Sequence, residues 1–280
     1  MRGYYYCSLS TFLNIVKHRQ IYLSDPLKMN DSLEIQWYLD KLDEQERSVK
    51  PSRSILNMLN YYSTIEFTYD DLIRALNIYG QCNAYICCFS KKSDILSQWR
   101  AYAGDGQGLS IGFNLEKLNK EYNLMVCEVL YNDDITYGRL EDQLENFARE
   151  MSEVIKCKKI TDEEEKIKIL LHEFIPLLLQ CKNPAFEEEQ EVRLIYCDDM
   201  KFEAMVDDAI GRKPILLEHD FRITGNNNIT EFVKLDFDPD AIEHICIGPK
   251  CSMSINDVKR MVKTLLGSDI EVSKSKSSYR

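Results

Sequence analysis

The chain has 280 residues, is 44 % hydrophobic and 29 % charged, and carries a formal net charge of −11. That length suits one large core, and the acidic balance argues against broad, salt-driven adhesion to nucleic acid or anionic lipid. No apolar run approaches the roughly 20 residues of a membrane helix, and Met1-Arg2-Gly3-Tyr4-Tyr5-Tyr6 lacks the apolar stretch of a secretion signal, so the chain reads as cytoplasmic, with no membrane partner.

The first segment reads strand–helix–strand. Tyr4-Tyr5-Tyr6 suits a strand, Ser8 or Ser10 suits the cap of a helix carrying Phe12, Leu13, Ile15 and Val16, and Ile21-Tyr22-Leu23 extends again up to Ser24-Asp25-Pro26. From about 31 to 80 the apolar spacing is helical, ending at Gly80, and predicts a helical lobe inserted between strands.

Tyr85 to Phe89 is a continuous apolar run of strand length. Ser93-Asp94 is a candidate cap for a short helix through Leu96, Trp99 and Tyr102, followed by turn material from Gly104 to Gly108. The glycine-rich stretch lacks both phosphate-loop patterns, so a turn outweighs a phosphate cradle. Strands are predicted at Leu109 to Phe113 and Val126 to Tyr131, and long helices at 137–158 and 163–180.

Further strands are predicted over Glu191 to Cys197, near Ile215 to Leu217, over Phe232 to Leu235 and over Ile242 to Ile247. A last helix follows near Ile255 to Leu266. The pattern predicts a single α+β domain over 1–272, with a mixed, largely antiparallel sheet and helical insertions near 31–80 and 137–180. Residues 273–280 are polar and read as a disordered tail.

The ten cysteines contain no C-x-x-C pair and mostly sit in apolar stretches, as in Ile86-Cys87-Cys88-Phe89, so they read as core residues rather than metal ligands or disulfides. His244, amid Ile242, Ile245 and Ile247, reads as a half-buried strand residue. Glu187 and Glu188 read as a solvated loop, and Trp99 as core.

Three patches do not read as scaffold alone. They are Tyr4-Tyr5-Tyr6-Cys7-Ser8 with Leu23-Ser24-Asp25-Pro26-Leu27-Lys28-Met29-Asn30-Asp31; Cys88-Phe89-Ser90 with Leu96-Ser97-Gln98-Trp99-Arg100-Ala101-Tyr102; and Phe186 to Arg193. Together with Ile247-Gly248-Pro249-Lys250 they resemble a bacterial family of unassigned role, domain of unknown function 2971. More distantly, their order resembles that of the ADP-ribosyltransferases, in which a first strand, a middle strand ending in Ser or Tyr and a late strand with Glu/Gln-x-Glu assemble one site.

That second resemblance implies a fold of the ADP-ribosyltransferase type and cleavage of NAD, as substrate, at its nicotinamide–ribose bond. ADP-ribose would pass to a nucleic acid or protein acceptor, or to water. The bacterial resemblance adds a toxin or phage-defence role and a neutralising partner protein. The late motif is matched by Glu189-Gln190-Glu191 and the middle serine by Ser90, while the first-strand Arg or His falls on Tyr5 or Tyr6.

The residue chemistry is coherent with such a reaction. Bond cleavage builds oxocarbenium-like charge on the ribose, which a fixed carboxylate stabilises. Glu191 takes that role. Glu189, two residues earlier and expected on the same strand face, takes the acceptor or its proton. Arg100 offers a forked contact to the pyrophosphate, and Tyr102 or Trp99 a stacking surface. Arg193 shares the Glu191 face, where a structural ion pair explains both residues equally well.

Two other readings stay open. Glu189, Glu191 and Arg193, with Asp94 or Asp105, are similar to the end of a metal-dependent nuclease core. Alternatively, the chain is a non-catalytic module that binds a nucleotide or a partner.

Overall fold

The structure is a computed structural model that describes residues 1–28, 84–119, 124–131, 179–197, 216–224 and 227–279, with single positions 60, 66, 68, 71 and 122. The helices expected at 31–80, 137–158 and 163–180 lie outside the described residues, apart from those single positions and from Leu179 and Gln180, which form a turn.

Strands β1 (Arg2–Cys7), β2 (Gln20–Ser24), β3 (Ala84–Ser90), β4 (Leu109–Asn114), β5 (Met125–Glu128), β6 (Glu191–Cys197), β7 (Glu218–Ile223), β8 (Ile229–Asp236), β9 (Ile242–Ile247) and β10 (Glu271–Lys274) join in one ten-stranded sheet. Every described pairing between strands is antiparallel except β9 with β10. The α+β class with a mixed, largely antiparallel sheet is therefore what the chain adopts.

The alternation along β1 shows how the layers are set. Cys7 joins the large core, against which Tyr5 also packs, while Tyr6 joins a second cluster with Trp99, Ala103 and Cys246, against which Tyr4 packs. Successive residues of a strand point to opposite faces, so β1 is apolar on both sides and must be covered twice. Helices α1 (Leu9–His18) and α4 (Ile255–Leu266) cover one face through Phe12, Ile15, Val16, Val258, Val262 and Leu266. Helix α2 (Leu96–Tyr102) covers the other through Trp99, which is fully buried. A one-turn helix, α3 (Leu115–Leu118), follows β4.

The helix ends follow from local chemistry. Ser8 caps α1 by accepting from Thr11 N–H at 3.2 Å, and Arg19 closes it in a left-handed conformation at φ 55°. Ser254 and Asp257 form a reciprocal capping box at the start of α4, and Gly267 ends it at φ 73°. The expected cap at Ser93-Asp94 is not one. The N-cap of α2 is Ile95, without a side-chain bond, and Asp94 instead accepts from the indole N–H of Trp99 at 2.7 Å.

Other boundaries moved. The strand expected near Ile215 to Leu217 is β7, which begins at Glu218. Its sequence EHDFRI is one polar-rich edge strand, with too few apolar residues to read from sequence. Strand β5 stops at Glu128, beyond which Leu130 bridges to Cys181.

Residues 273–279 are placed against the body rather than loose. Ser273 and Lys274 pair with Cys246 and Ile247 in β10, and Ser275 Oγ and Lys276 N–H then donate to Asp94 at 2.6 and 2.8 Å. Polar composition suggested a tail without a core. Specific partners on the body supply what composition does not show.

Cys7, Cys87, Cys127, Cys181, Cys246 and Cys251 are buried free thiols and Cys88 is half-buried, in line with their reading as core residues. Among the described residues no helix is long and apolar enough to cross a membrane.

Candidate functional site

Strand β3 organises the site. One of its edges pairs with β6 along its whole length, from Ala84 with Cys197 to Ser90 with Glu191. Its other edge meets β2 only at Ile86 with Ser24, and β1 only at Ser90 with Tyr4. Between those contacts β1 and β2 diverge, and the Cys87–Phe89 stretch has no strand neighbour on that edge among the described residues. The sheet is forked there.

A cavity of about 200 Å³ opens at the fork. Its walls come from β1 (Tyr4, Tyr5, Tyr6), β2 and the turn after it (Tyr22, Ser24, Pro26), and β3 (Ile86 to Phe89). Helix α2 adds Gln98 and Tyr102, the 179–193 segment adds Leu179, Lys182, Glu189, Glu191 and Arg193, and β7 adds Arg222. Consecutive tyrosines from opposite faces of β1 reach one cavity because the sheet is open at this point. All three patches singled out in the sequence converge here.

Glu191 begins β6 and is buried with Arg193 and Lys182. Arg193 Nε donates to Glu191 Oε1 at 2.6 Å and Arg193 Nη2 to Oε2 at 3.2 Å. Lys182 Nζ donates to Glu191 Oε2 at 3.0 Å and to Glu189 Oε2 at 2.7 Å. Arg193 Nη1 donates to the Leu179 carbonyl at 2.6 Å, and the Glu191 N–H to the Tyr131 hydroxyl at 2.8 Å. Burial alone would raise the Glu191 carboxyl, but the adjacent Arg193, with Lys182 behind it, outweighs burial and holds it at about 2. Glu191 is thus an oriented anion at neutral pH.

Glu189 is not on the strand. It ends a 3-10 helix, Pro184–Glu189, and Gln190 turns the chain at φ 45° before β6 starts. The expected shared strand face is therefore corrected: the turn and the common partner Lys182 bring the two carboxylates together. Glu189 also receives a long contact, 3.5 Å, from the Tyr102 hydroxyl. Glu187 and Glu188 are exposed on that 3-10 helix, as expected of solvated residues.

The aromatic and cofactor-binding candidates separate. Tyr102 lines the cavity from its rim, 46 % exposed, and partial burial, with Glu189 nearby, pushes its hydroxyl up. Tyr5 lines it too, with its ring edge on Phe89 at 5.9 Å and its ionisation suppressed by burial. Tyr6 contributes to the wall, but its hydroxyl is consumed: it donates to the Lys92 carbonyl at 2.8 Å and accepts from Ile95 N–H at 2.9 Å.

Ser90 lies outside the lining, buried, with its Oγ accepting from Lys92 N–H at 3.2 Å. Arg100 is outside as well. On α2 the cavity-facing positions are Gln98 and Tyr102, four apart, and Arg100 lies between them on the exposed side, 5.9 Å from the Tyr279 ring. Trp99 is sealed in the core and cannot stack on a ligand.

The glycine-rich turn is no anion cradle. The N–H groups of Gly106, Gln107 and Gly108 donate to Trp99, Gly104 and Ala103 carbonyls. The expected Ile247 to Lys250 motif packs on this turn, with Gly248 and Lys250 N–H donating to Gly108 and Gly106 carbonyls. His244 is a strand residue as expected, with Nε2 2.9 Å from Ser273 Oγ. Asp94 is engaged by Trp99 and the C-terminal segment, and Asp105 by Lys250 and Tyr279, so neither joins the Glu189–Glu191 cluster. Among the described residues no group of three or more His, Cys, Asp or Glu side chains is placed to hold a metal ion.

Several cavity residues were given no site role from sequence, among them Tyr22, Gln98, Lys182 and Arg222. Lys182 and Arg222 carry no motif, because each is recruited by folding alone. Gln98 had one available signal, its spacing of four from Tyr102.

Residues 98–194 match the family model described as Protein of unknown function (DUF2971). The matched stretch is about a third of the chain and carries Gln98, Tyr102, Lys182, Glu189, Glu191 and Arg193 of the cavity wall. Tyr4 to Tyr6, Ser24 and Arg222 lie outside it. Neither a curated protein nor a solved structure matches the chain.

Proposed function

We propose that the cavity binds the nicotinamide–ribose end of NAD and that the chain is an ADP-ribosyltransferase-like enzyme. It would transfer ADP-ribose to a protein, a nucleic acid or water. The observation that carries this reading is the meeting of Glu189, Glu191, Tyr102 and Tyr5 on one cavity at the sheet fork. A volume of about 200 Å³ suits one sugar with its ring rather than a whole dinucleotide, whose remainder would extend outward.

In the reaction, the bond between ribose C1′ and the nicotinamide nitrogen breaks, and its electron pair leaves with nicotinamide. The positive charge left on the ribose is stabilised by the ionised Glu191. An oxygen or nitrogen nucleophile then bonds C1′, and Glu189 takes its proton. Tyr5 and Tyr102 offer ring surface on which nicotinamide packs. Lys182 and Arg193 orient the carboxylates and act as positioning residues. A toxin or defence role in a bacterial host, with a neutralising partner, is the setting in which such an activity would be used.

A second reading is favoured by one observation. Both Glu191 oxygens are engaged by Arg193, and one also by Lys182, as in a structural network. On that reading the cavity binds a nucleotide without turning it over. Nicotinamide release by the purified protein, with and without cell extract, separates the two when run beside Glu191→Gln. Release that disappears in the variant supports the enzyme. Calorimetric binding of NAD with no release supports the binding module, and neither binding nor release would sink both.

A further inference from the structure

The cavity's charges do not cancel. Lys182 and Arg193 are committed to Glu189 and Glu191, so among the titratable lining residues Arg222 stands as a surplus cation. No carboxylate of the described residues lies within ion-pair distance of its guanidinium. Its contacts are neutral: Nη2 donates to Ser24 Oγ at 2.7 Å, and the guanidinium carbon sits 5.4 Å from the Phe232 ring centroid. Phe232 in turn packs on Tyr22, ring centroids 4.3 Å apart. Neighbouring acids are occupied elsewhere, Asp220 by Lys234 at 2.7 Å and Glu231 by His219 at 3.0 Å.

On the α2 side lies a second unspent group. Gln98 is 7 % exposed and lines the cavity, yet its carboxamide makes no hydrogen bond to any described residue. The carboxamide is not among the sealed, unpartnered polar atoms, so it opens onto the cavity, where an entering ligand would find a donor and an acceptor held in place. The first strand, meanwhile, brings tyrosines and no cation to the cavity, so charge for an anionic ligand has to come from another element.

We propose that Arg222, steadied by Ser24 and Phe232, is the subsite for a phosphoryl group of the ligand, while the Gln98 carboxamide reads the ligand's uncharged polar ring. A guanidinium presents parallel N–H groups that match two phosphoryl oxygens, which a tyrosine-lined strand cannot offer. The ligand class is then a phosphorylated nucleoside. Naming NAD as the physiological member rests on the reading above, but the subsite itself does not.

The test compares nicotinamide mononucleotide with nicotinamide riboside, which differ by the phosphoryl group, by calorimetry on the full chain. The unaltered protein is expected to bind the mononucleotide about 10- to 100-fold more tightly. Arg222→Gln should erase that preference, and Arg222→Lys should restore part of it, since charge returns without the fork. Gln98→Leu should weaken both ligands alike. Arg222 sits on an exposed edge strand, and unchanged thermal melting checks that the variants fold.

An equal affinity for the two ligands in the unaltered protein, or a preference that survives Arg222→Gln, overturns the subsite. If nicotinamide release is abolished by Glu191→Gln while the preference survives Arg222→Gln, the enzyme reading stands and the subsite falls. If no release occurs but Arg222→Gln removes the preference, the subsite stands and the enzyme reading falls.

Discussion

Lys182 holds Glu191 from 3.0 Å with both side chains almost wholly buried, and the same ammonium reaches Glu189 at 2.7 Å. One cation therefore keeps two carboxylates together in a site that Arg193 alone would leave net negative. Lys182→Met should destabilise the protein by roughly 3–5 kcal/mol, the usual cost of breaking a buried pair. Adding Glu189→Gln should recover part of that loss, because one of the two facing anions is gone. Urea melts of the two single variants and the double variant measure the coupling, and strict additivity would refute it.

Acid should unfold the site in a defined window. The Glu191 carboxyl has an ordinary value of 4.5 and is held at about 2 in the folded chain. Its contribution is complete above the unfolded value and is lost as pH falls from 4.5 toward 2. That contribution is on the order of 3 kcal/mol. Glu191→Gln should flatten the stability profile across this window, as followed by denaturant titration at a series of pH values. An unaltered acid limb would show that Glu191 is not the responsible group.

Gln98 predicts little change in stability. Its carboxamide opens onto the cavity with no hydrogen bond to a described residue, so Gln98→Leu should alter stability by less than about 1 kcal/mol. Thermal melting of the unliganded protein decides this. A marked loss of stability would mean that the amide is satisfied within the fold.

The C-terminal segment is predicted to depend on Asp94, which accepts from the Trp99 indole at 2.7 Å, Ser275 Oγ at 2.6 Å and Lys276 N–H at 2.8 Å. Asp94→Ala should cost roughly 2 kcal/mol, because the buried indole N–H loses its acceptor. Amide exchange at Lys276 and Ser277 should quicken, with β10 still protected. Exchange that stays slow would place the anchor of the segment elsewhere.

Gly108→Ala should be among the most damaging single changes outside the cavity. A Cβ there would press onto the Cys7 carbonyl oxygen and lie 3.0 Å from that of Ala103, both backbone atoms that cannot turn aside. A loss above about 3 kcal/mol, or failure to fold, is expected on urea titration.

Much of the fold was legible locally. The apolar runs at Tyr85 to Phe89, Leu109 to Phe113 and Ile242 to Ile247 are strands because β-branched and aromatic residues in short unbroken runs must be buried on both faces. The Ser8 cap and the helix over Ile255 to Leu266 follow from neighbouring residues alone. Strand β10 was missed for the converse reason, being short, polar and held by β9 across an intervening helix, while β7 was expected too early because its own residues are mostly polar.

The site divides along the same line. The sequence by itself put Tyr5, Tyr102, Glu189, Glu191 and Arg193 forward as candidates in separated segments, and all five line the cavity. It also singled out Glu189 and Glu191 together, but their two-residue spacing predicted a shared strand face, whereas the turn at Gln190 and the common partner Lys182 join them. Only the tertiary structure decided that Arg100 and Ser90 face away from the cavity and that Lys182, Gln98 and Arg222 enter it. The reason is physical. Strand and helix periods are local, whereas the fork at β3 arises from where β1 and β2 each find a hydrogen-bonding edge, and that competition is settled between residues far apart in the chain.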